Sequence, residues 1–189
     1  MMRRRLLAVL RLAVLALAAS AAAPTLALVD LTGVTVIVAG DNHTCAVVGG
    51  AVRCWGENTL GQLGDGTTQS HATPRPVAGI TSAVAVTAGV NHSCALIAGG
   101  TVQCWGSNDS GQLGDGTYNE HFTPATVPGL VGVAQISAGD YHTCAVLGDG
   151  TVRCWGANDV GQIGDGSITR RPSPVATAEF AVGASPARP

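Results

Sequence analysis

Past residue 30 the hydrophobic positions fall in short β-branched runs separated by glycine turns. In the middle of the chain Ala83 to Thr87, Ser93 to Ile97, Thr101 to Trp105 and Thr123 to Val127 each have the length of one strand, with a glycine-rich polar loop before the last. Such runs, bounded by Gly, Asn, Asp and Pro, predict β-strands, four to a unit. No window past residue 30 shows the 3.6-residue period of an amphipathic helix. The 26 glycines and few aromatics of the 189-residue chain fit the same picture of many tight turns between short strands.

The unit recurs. His43-Thr44-Cys45-Ala46, His92-Ser93-Cys94-Ala95 and His142-Thr143-Cys144-Ala145 stand 49 and then 50 residues apart. Cys54-Trp55-Gly56, Cys104-Trp105-Gly106 and Cys154-Trp155-Gly156 repeat at 50, each followed by an asparagine, Asn58, Asn108 or Asn158. GQLGDGT occupies 61–67 and 111–117, and GQIGDGS occupies 161–167. A period of about 40 to 50 residues with four strands per unit predicts β-propeller blades. The expected fold is therefore all-β: three four-stranded blades forming an incomplete or open ring after an N-terminal signal segment. The expected divisions are a signal peptide at 1–21, a linker or cap at 22–33, repeats at 34–80, 81–130 and 131–178, and a disordered tail at 179–189.

The string A-G-x-x-H-x-C-A, then C-W-G-x-N, then G-Q-L-G-D-G-T resembles the regulator of chromosome condensation repeat over about three quarters of the chain. The resemblance implies a β-propeller, usually of seven blades, that serves as a protein-binding platform. The family's nuclear founding member is a guanine-nucleotide exchange factor for the Ran GTPase, and a secreted bacterial relative of similar fold inhibits β-lactamases. Three copies, an export signal and paired cysteines depart from the nuclear pattern.

The first 27 residues, MMRRRLLAVLRLAVLALAASAAAPTLA, place Arg3, Arg4 and Arg5 before an apolar stretch and small residues at Ala19-Ser20-Ala21. This reads as a secretory signal peptide cleaved near Ala21. The alternative is an uncleaved anchor, since Leu12 to Val29 carries no charge. The arginine run also faintly resembles a twin-arginine signal. Cleavage after residue 21 removes four of the ten basic residues and none of the twelve acidic ones, leaving six against twelve, a balance of −6. That balance argues against nucleic acid as a partner. The chain has no lysine, which excludes a phosphate-loop lysine and a Schiff-base lysine.

The six cysteines fall two per repeat. With a two-residue turn at Gly49-Gly50, Val48 opposes Ala51 and Cys45 opposes Cys54. A three-residue turn in the other copies leaves Cys94 opposite Cys104 and Cys144 opposite Cys154. Directly opposed residues lie within disulfide reach, so in an oxidising compartment three hairpin disulfides are expected. Buried free thiols are the alternative, and a zinc site has too few convergent ligands per blade. Each of His43, His92 and His142 is expected to hydrogen-bond its own turn, with a ring of ligands or bases as the lesser alternative. Trp55, Trp105 and Trp155 lie on the strand face opposite the neighbouring cysteine and are expected to pack between blades. Asp65, Asp115 and Asp165 sit in loops with too few oxygen ligands for calcium and no helix to cradle phosphate, so a structural turn is expected. Ser93 adjoins His92, but neighbouring strand residues face opposite ways, and no active site, metal or cofactor is expected.

Positions shared by the repeats account for architecture; positions that differ supply a surface that changes from blade to blade. The variable segments are 68–71, 118–122 and 168–171 after the Asp-Gly turn, with 41–42, 90–91 and 140–141. Within them Tyr118, Glu120, Phe122, Tyr141 and Arg170 are the candidate partner-binding residues, aromatics being the strongest interface anchors. Packing of these aromatics against a neighbouring blade's loop is the alternative. The expected function is a secreted, periplasmic or cell-surface protein-binding module without catalytic activity. The alternatives are an exchange or regulatory factor, and a cell-surface fragment that assembles with further blades. The expected partner is an unknown protein or a second copy completing a ring, with membrane contact only through an uncleaved N-terminus. A closed propeller needs about four to eight blades, so three predict association, unless 27–31 or 178–182 supplies a capping strand.

Overall fold

The computed structural model describes residues 31–178. They belong to the second of the two units into which the chain divides, Leu31–Pro189. The leader, the anchor alternative, the C-terminal tail and the capping segments 27–31 and 178–182, all but their inner residues, lie outside the described residues. Among the described residues no helix is long and apolar enough to cross a membrane.

Twelve strands form three four-stranded antiparallel sheets, each in sequential order. Blade 1 comprises β1 (Val34–Ala39), β2 (His43–Val48), β3 (Ala51–Gly56) and β4 (His71–Pro76). Blade 2 comprises β5 (Ala83–Ala88), β6 (His92–Ile97), β7 (Thr101–Gly106) and β8 (His121–Thr126). Blade 3 comprises β9 (Val133–Ala138), β10 (His142–Leu147), β11 (Val152–Gly156) and β12 (Arg171–Ala176). Blade 2 packs against both neighbours, and the described blades do not close into a ring.

Turn chemistry sets the register. Gly49 and Gly50 have φ of +57° and +84°, the pair of positive values that a two-residue type I′ hairpin demands. This turn pairs Val48 with Ala51 and Cys45 with Cys54. The extra residue in the next two turns is absorbed there, and Cys94 still meets Cys104 and Cys144 meets Cys154. All three pairs are disulfides, Cys45–Cys54, Cys94–Cys104 and Cys144–Cys154, each with Cα atoms 4.1 Å apart. That spacing suits a non-hydrogen-bonded antiparallel pair, whose side chains lie closest.

The core lies between blades, because a four-stranded sheet has two faces to bury and no helix among the described residues covers either. One cluster joins Cys45, Val47, Val52, Cys54 and Leu63 of blade 1 to Ala83, Val86, Ala95 and Trp105 of blade 2. The second repeats it one blade on, joining Cys94, Leu96, Val102, Cys104 and Leu113 to Val133, Ile136, Ala145 and Trp155. Alternation along each strand explains the pattern: His43, Cys45 and Val47 share the face toward blade 2, while Thr44, Ala46 and Val48 share the other.

Candidate functional site

The polar residues of the repeat gather at the same joints. His43 Nε2 lies 2.8 Å from Ser93 Oγ in the next blade, and Ser93 Oγ donates to the Gln62 carbonyl at 3.0 Å. The Trp105 indole N–H donates to that same carbonyl at 2.9 Å. One blade later His92 Nε2 lies 3.0 Å from Thr143 Oγ1, and Thr143 Oγ1 and Trp155 Nε1 donate to the Gln112 carbonyl at 3.0 and 2.9 Å. The hydroxyl proton is committed to the glutamine carbonyl, so Nε2 must carry the hydrogen that it shares with the hydroxyl oxygen. Each ring is therefore the neutral Nε2–H tautomer. Its Nδ1 in His43 and His92 is buried without a partner among the described residues. Burial pushes His43 down to about 4 against the opposing charge of Glu57. Burial, reinforced by His43 and His142, pushes His92 down to about 3. His142 is lowered in the same direction by burial, against Asp140.

This corrects the expectation that each histidine side chain bonds its own turn. The turn is closed by backbone instead, Gly40 N–H donating to the His43 carbonyl at 2.8 Å, with equivalents at Gly89 and Gly139. The imidazole lies across the glycine, where a Cβ on Gly40 would stand 2.7 Å from Nδ1. Facing the next blade with Cys45, the ring finds its partner there. The Ser93–His43 pair is also not a nucleophile with its base. Ser93 is fully buried, its proton is bonded to Gln62, and Nε2 holds a proton and cannot take one.

The Asp-Gly loop is a second self-contained network. Asn58 Oδ1 accepts from the Leu63 N–H at 2.9 Å, and its Nδ2 donates to the Thr67 carbonyl at 3.0 Å and to Asp65 Oδ1 at 3.3 Å. Asp65 Oδ1 accepts from Thr67 N and Oγ1 at 2.9 and 2.7 Å. Asn108 with Asp115 and Asn158 with Asp165 repeat the arrangement. The remaining carboxylate oxygen meets a side-chain nitrogen six residues on: His71 Nε2 at 3.2 Å, His121 Nε2 at 2.8 Å, Arg171 Nε at 2.6 Å. Hydrogen bonds from Ser167 and Arg171 outweigh the effect of burial and push Asp165 down to about 2. Asp65 and Asp115 are lowered too: burial acts to raise them and is outweighed by hydrogen bonds from threonine, asparagine and, at Asp115, His121. With every oxygen engaged, the loop is a structural turn. Among the described residues no group of three or more His, Cys, Asp or Glu is placed to hold a metal ion.

Trp105 and Trp155 are fully buried in the two joints, over Gly64 and Gly114 of the preceding blade, while Trp55 on the outer face of blade 1 is partly exposed. The antiparallel order carries the β1–β2, β5–β6 and β9–β10 turns to the same end of the blades as the Asp-Gly loops. All five candidate contact residues lie at this end. Tyr118 and Tyr141 are about half exposed, at 50% and 47%. Glu120 is exposed. The Phe122 ring packs over Gly61 of the preceding blade. Arg170 donates to the Asp109 carbonyl at 3.4 Å and to Asp159 at 3.3 Å. A recess of about 340 Å³ opens at this end too, lined by the turns at 39–41, 88–90 and 138–140 with Asp41 and Asp140. Sequence reasoning missed Gln62 and Gln112, the joint role of the hydroxyls at Ser93 and Thr143, and the pairing of His71, His121 and Arg171 with the loop aspartates. Their recurrence at the repeat spacing was the available signal.

Comparison with known proteins gives the same repeat. The model described as regulator of chromosome condensation (RCC1) repeat matches residues 34–62, 83–112 and 133–162, and a longer model of it matches 49–96 and 99–146. The longer match runs from the β2–β3 turn of one blade into β6 of the next, and from the β6–β7 turn into β10, and so crosses from each blade to its neighbour. The secretion-regulating guanine nucleotide exchange factor of Bos taurus is 43% identical over 68 residues, 35% of this chain and 15% of that protein. Prp20p from Saccharomyces cerevisiae superposes with a TM-score of 0.71 at 22% identity, over 79% of this chain and 39% of that one. Human WBSCR16 superposes with a TM-score of 0.51 at 19% identity, over 79% and 54%. The chain thus spans only a minor part of the curated relative and of Prp20p, while its own repeats are matched nearly from end to end. It belongs to the regulator of chromosome condensation repeat family.

Proposed function

We propose that this chain is an exported, non-catalytic protein-binding module that reads its partner with the loop end of its blades. One observation carries the reading. Most side chains common to the three repeats are consumed in the joints and the Asp-Gly networks, whereas the segments that differ, 68–71, 118–122 and 168–171, are largely exposed at one end apart from the aspartate-pairing positions 71, 121 and 171. Tyr118 and Tyr141 stand there about half exposed, amphipathic rings of the kind that dominate interfaces. Three disulfides suit an oxidising compartment outside the cytosol. Similarity adds support, since Prp20p has been described for its binding to Gsp1p and histones.

A regulatory role on a GTPase is the second reading, favoured by the 68-residue match to an exchange factor. Capture from the periplasm or medium tests both. A partner retained by the native chain and lost with Tyr118→Ala and Tyr141→Ala, at unchanged thermal stability, supports the first reading. Loss of stability in those variants instead assigns the rings to packing. Accelerated nucleotide release from a Ran-type GTPase at catalytic concentrations overturns the first reading in favour of the second.

A further inference from the structure

Each joint is built from two unlike halves, and the two outer faces of the described blades are one half each. The face of blade 3 that points onward carries His142, the Gln162 carbonyl and Gly164, equivalent to His92, Gln112 and Gly114 in the joint before it. His142 meets no serine or threonine hydroxyl among the described residues. Val146 and Val152 are partly exposed there, where their counterparts Leu96 and Val102 are buried. The outer face of blade 1 carries the receiving half, Thr44 and Trp55, equivalent to Ser93 and Trp105. Its Ile37 pairs with Ala46 as Val86 pairs with Ala95 and Ile136 with Ala145. Yet Ile37 is 63% exposed while Val86 and Ile136 are 4% and 9%. The apolar and polar elements of a joint are thus present on both faces, in complementary and not identical form.

We propose that a second copy of this chain docks its blade 1 on blade 3, head to tail, in the geometry of the internal joints. His142 Nε2 donates to Thr44 Oγ1 of the second copy. That Thr44 Oγ1 and Trp55 Nε1 of the second copy donate to the Gln162 carbonyl. Gly166 N–H reaches the Ala72 carbonyl of the second copy, as Gly66 reaches Phe122 and Gly116 reaches Pro172 at 2.9 Å. Ile37 is buried against Val146 and Val152. The occupant is a second copy because the two faces match each other in the same side chains that already join blade 1 to blade 2 and blade 2 to blade 3. Such a contact is heterologous; two of them close a ring of six blades, within the range of about four to eight that closed propellers use.

Sedimentation analysis of the full chain purified from an oxidising compartment tests this, with Ile37→Glu and Val146→Glu each spoiling one face. The native chain is expected at twice the monomer mass or more, and each variant at monomer mass. An equimolar mixture of the two variants is expected to return to the mass of two chains, since one intact joint remains and the spoiled faces repel each other. Recovery in the mixture separates head-to-tail docking from a symmetric contact between like faces. Circular dichroism and the fluorescence of buried Trp105 and Trp155 verify folding, and Thr44→Arg and Val152→Glu replace a variant that fails it. A native monomer, an oligomer that survives either substitution, or a mixture that stays monomeric overturns the proposal.

Discussion

Acidification should destabilise this protein at its joints, above the range in which carboxylates titrate. His43 and His92 are buried, neutral, and pushed down to about 4 and about 3 from 6.5. The Nε2 proton is already placed on the neighbouring hydroxyl, so a second proton on Nδ1 would be a buried donor with no acceptor. The unfolded chain binds that proton near pH 6.5 and the folded chain refuses it, so stability is full above 6.5 and falls as pH drops toward the folded values. At pH 5 each histidine costs the folded state about 2 kcal/mol, the pair about 4 kcal/mol, against a typical total of about 5 to 15 kcal/mol. Asp65 and Asp115 are lowered from 3.8, so their contribution is lost only below that value and is silent at pH 5. Urea unfolding followed by the fluorescence of Trp105 and Trp155, at pH 8 and pH 5, measures the difference in the joints themselves. In the His43→Gln, His92→Gln double variant the amide keeps a donor for the hydroxyl and cannot titrate, so the loss between pH 8 and 5 should shrink by about 4 kcal/mol. An unchanged pH slope in that variant, or a native chain whose stability rises on acidification, would refute the reasoning.

Gly114→Ala should cost about 2 to 4 kcal/mol, the sum of a positive φ and a displaced core ring, because φ is +72° and the new Cβ would stand 2.6 Å from Trp155 Nε1. Gly129→Ala has the same φ of +72° with open space around it and should cost only about 1 kcal/mol; equal losses in urea midpoints would remove the indole from the account. Replacing Cys94 and Cys104 together by alanine should lower stability by about 3 kcal/mol through a loop of about ten residues. Non-reducing peptide mapping of the native chain should find links only within repeats, and a link between repeats would contradict the hairpin register.

Local rules made much of this molecule readable from its chain. Turn length and strand alternation are short-range constraints, so a Gly49-Gly50 turn is enough to place Cys45 opposite Cys54, and the same counting carries through the longer turns at 98–100 and 148–150. The 50-residue recurrence of Trp and the Asp-Gly loop is likewise enough to predict four-stranded blades, because one sheet with no helix to cover it must stack on another like it. Alternation also shows that His43 and Cys45 share a face, but it is silent on which neighbour that face meets. Only the stacking of blades decided that the His43 ring turns to Ser93, 50 residues away, and that Gln62 offers its backbone carbonyl, not its amide, to both Ser93 and Trp105. The same stacking decided that Phe122 rests on Gly61 while Tyr118 and Tyr141 stay half exposed. A side chain's face follows from its own few neighbours, whereas its partner is set by a contact whose other half lies a whole repeat away.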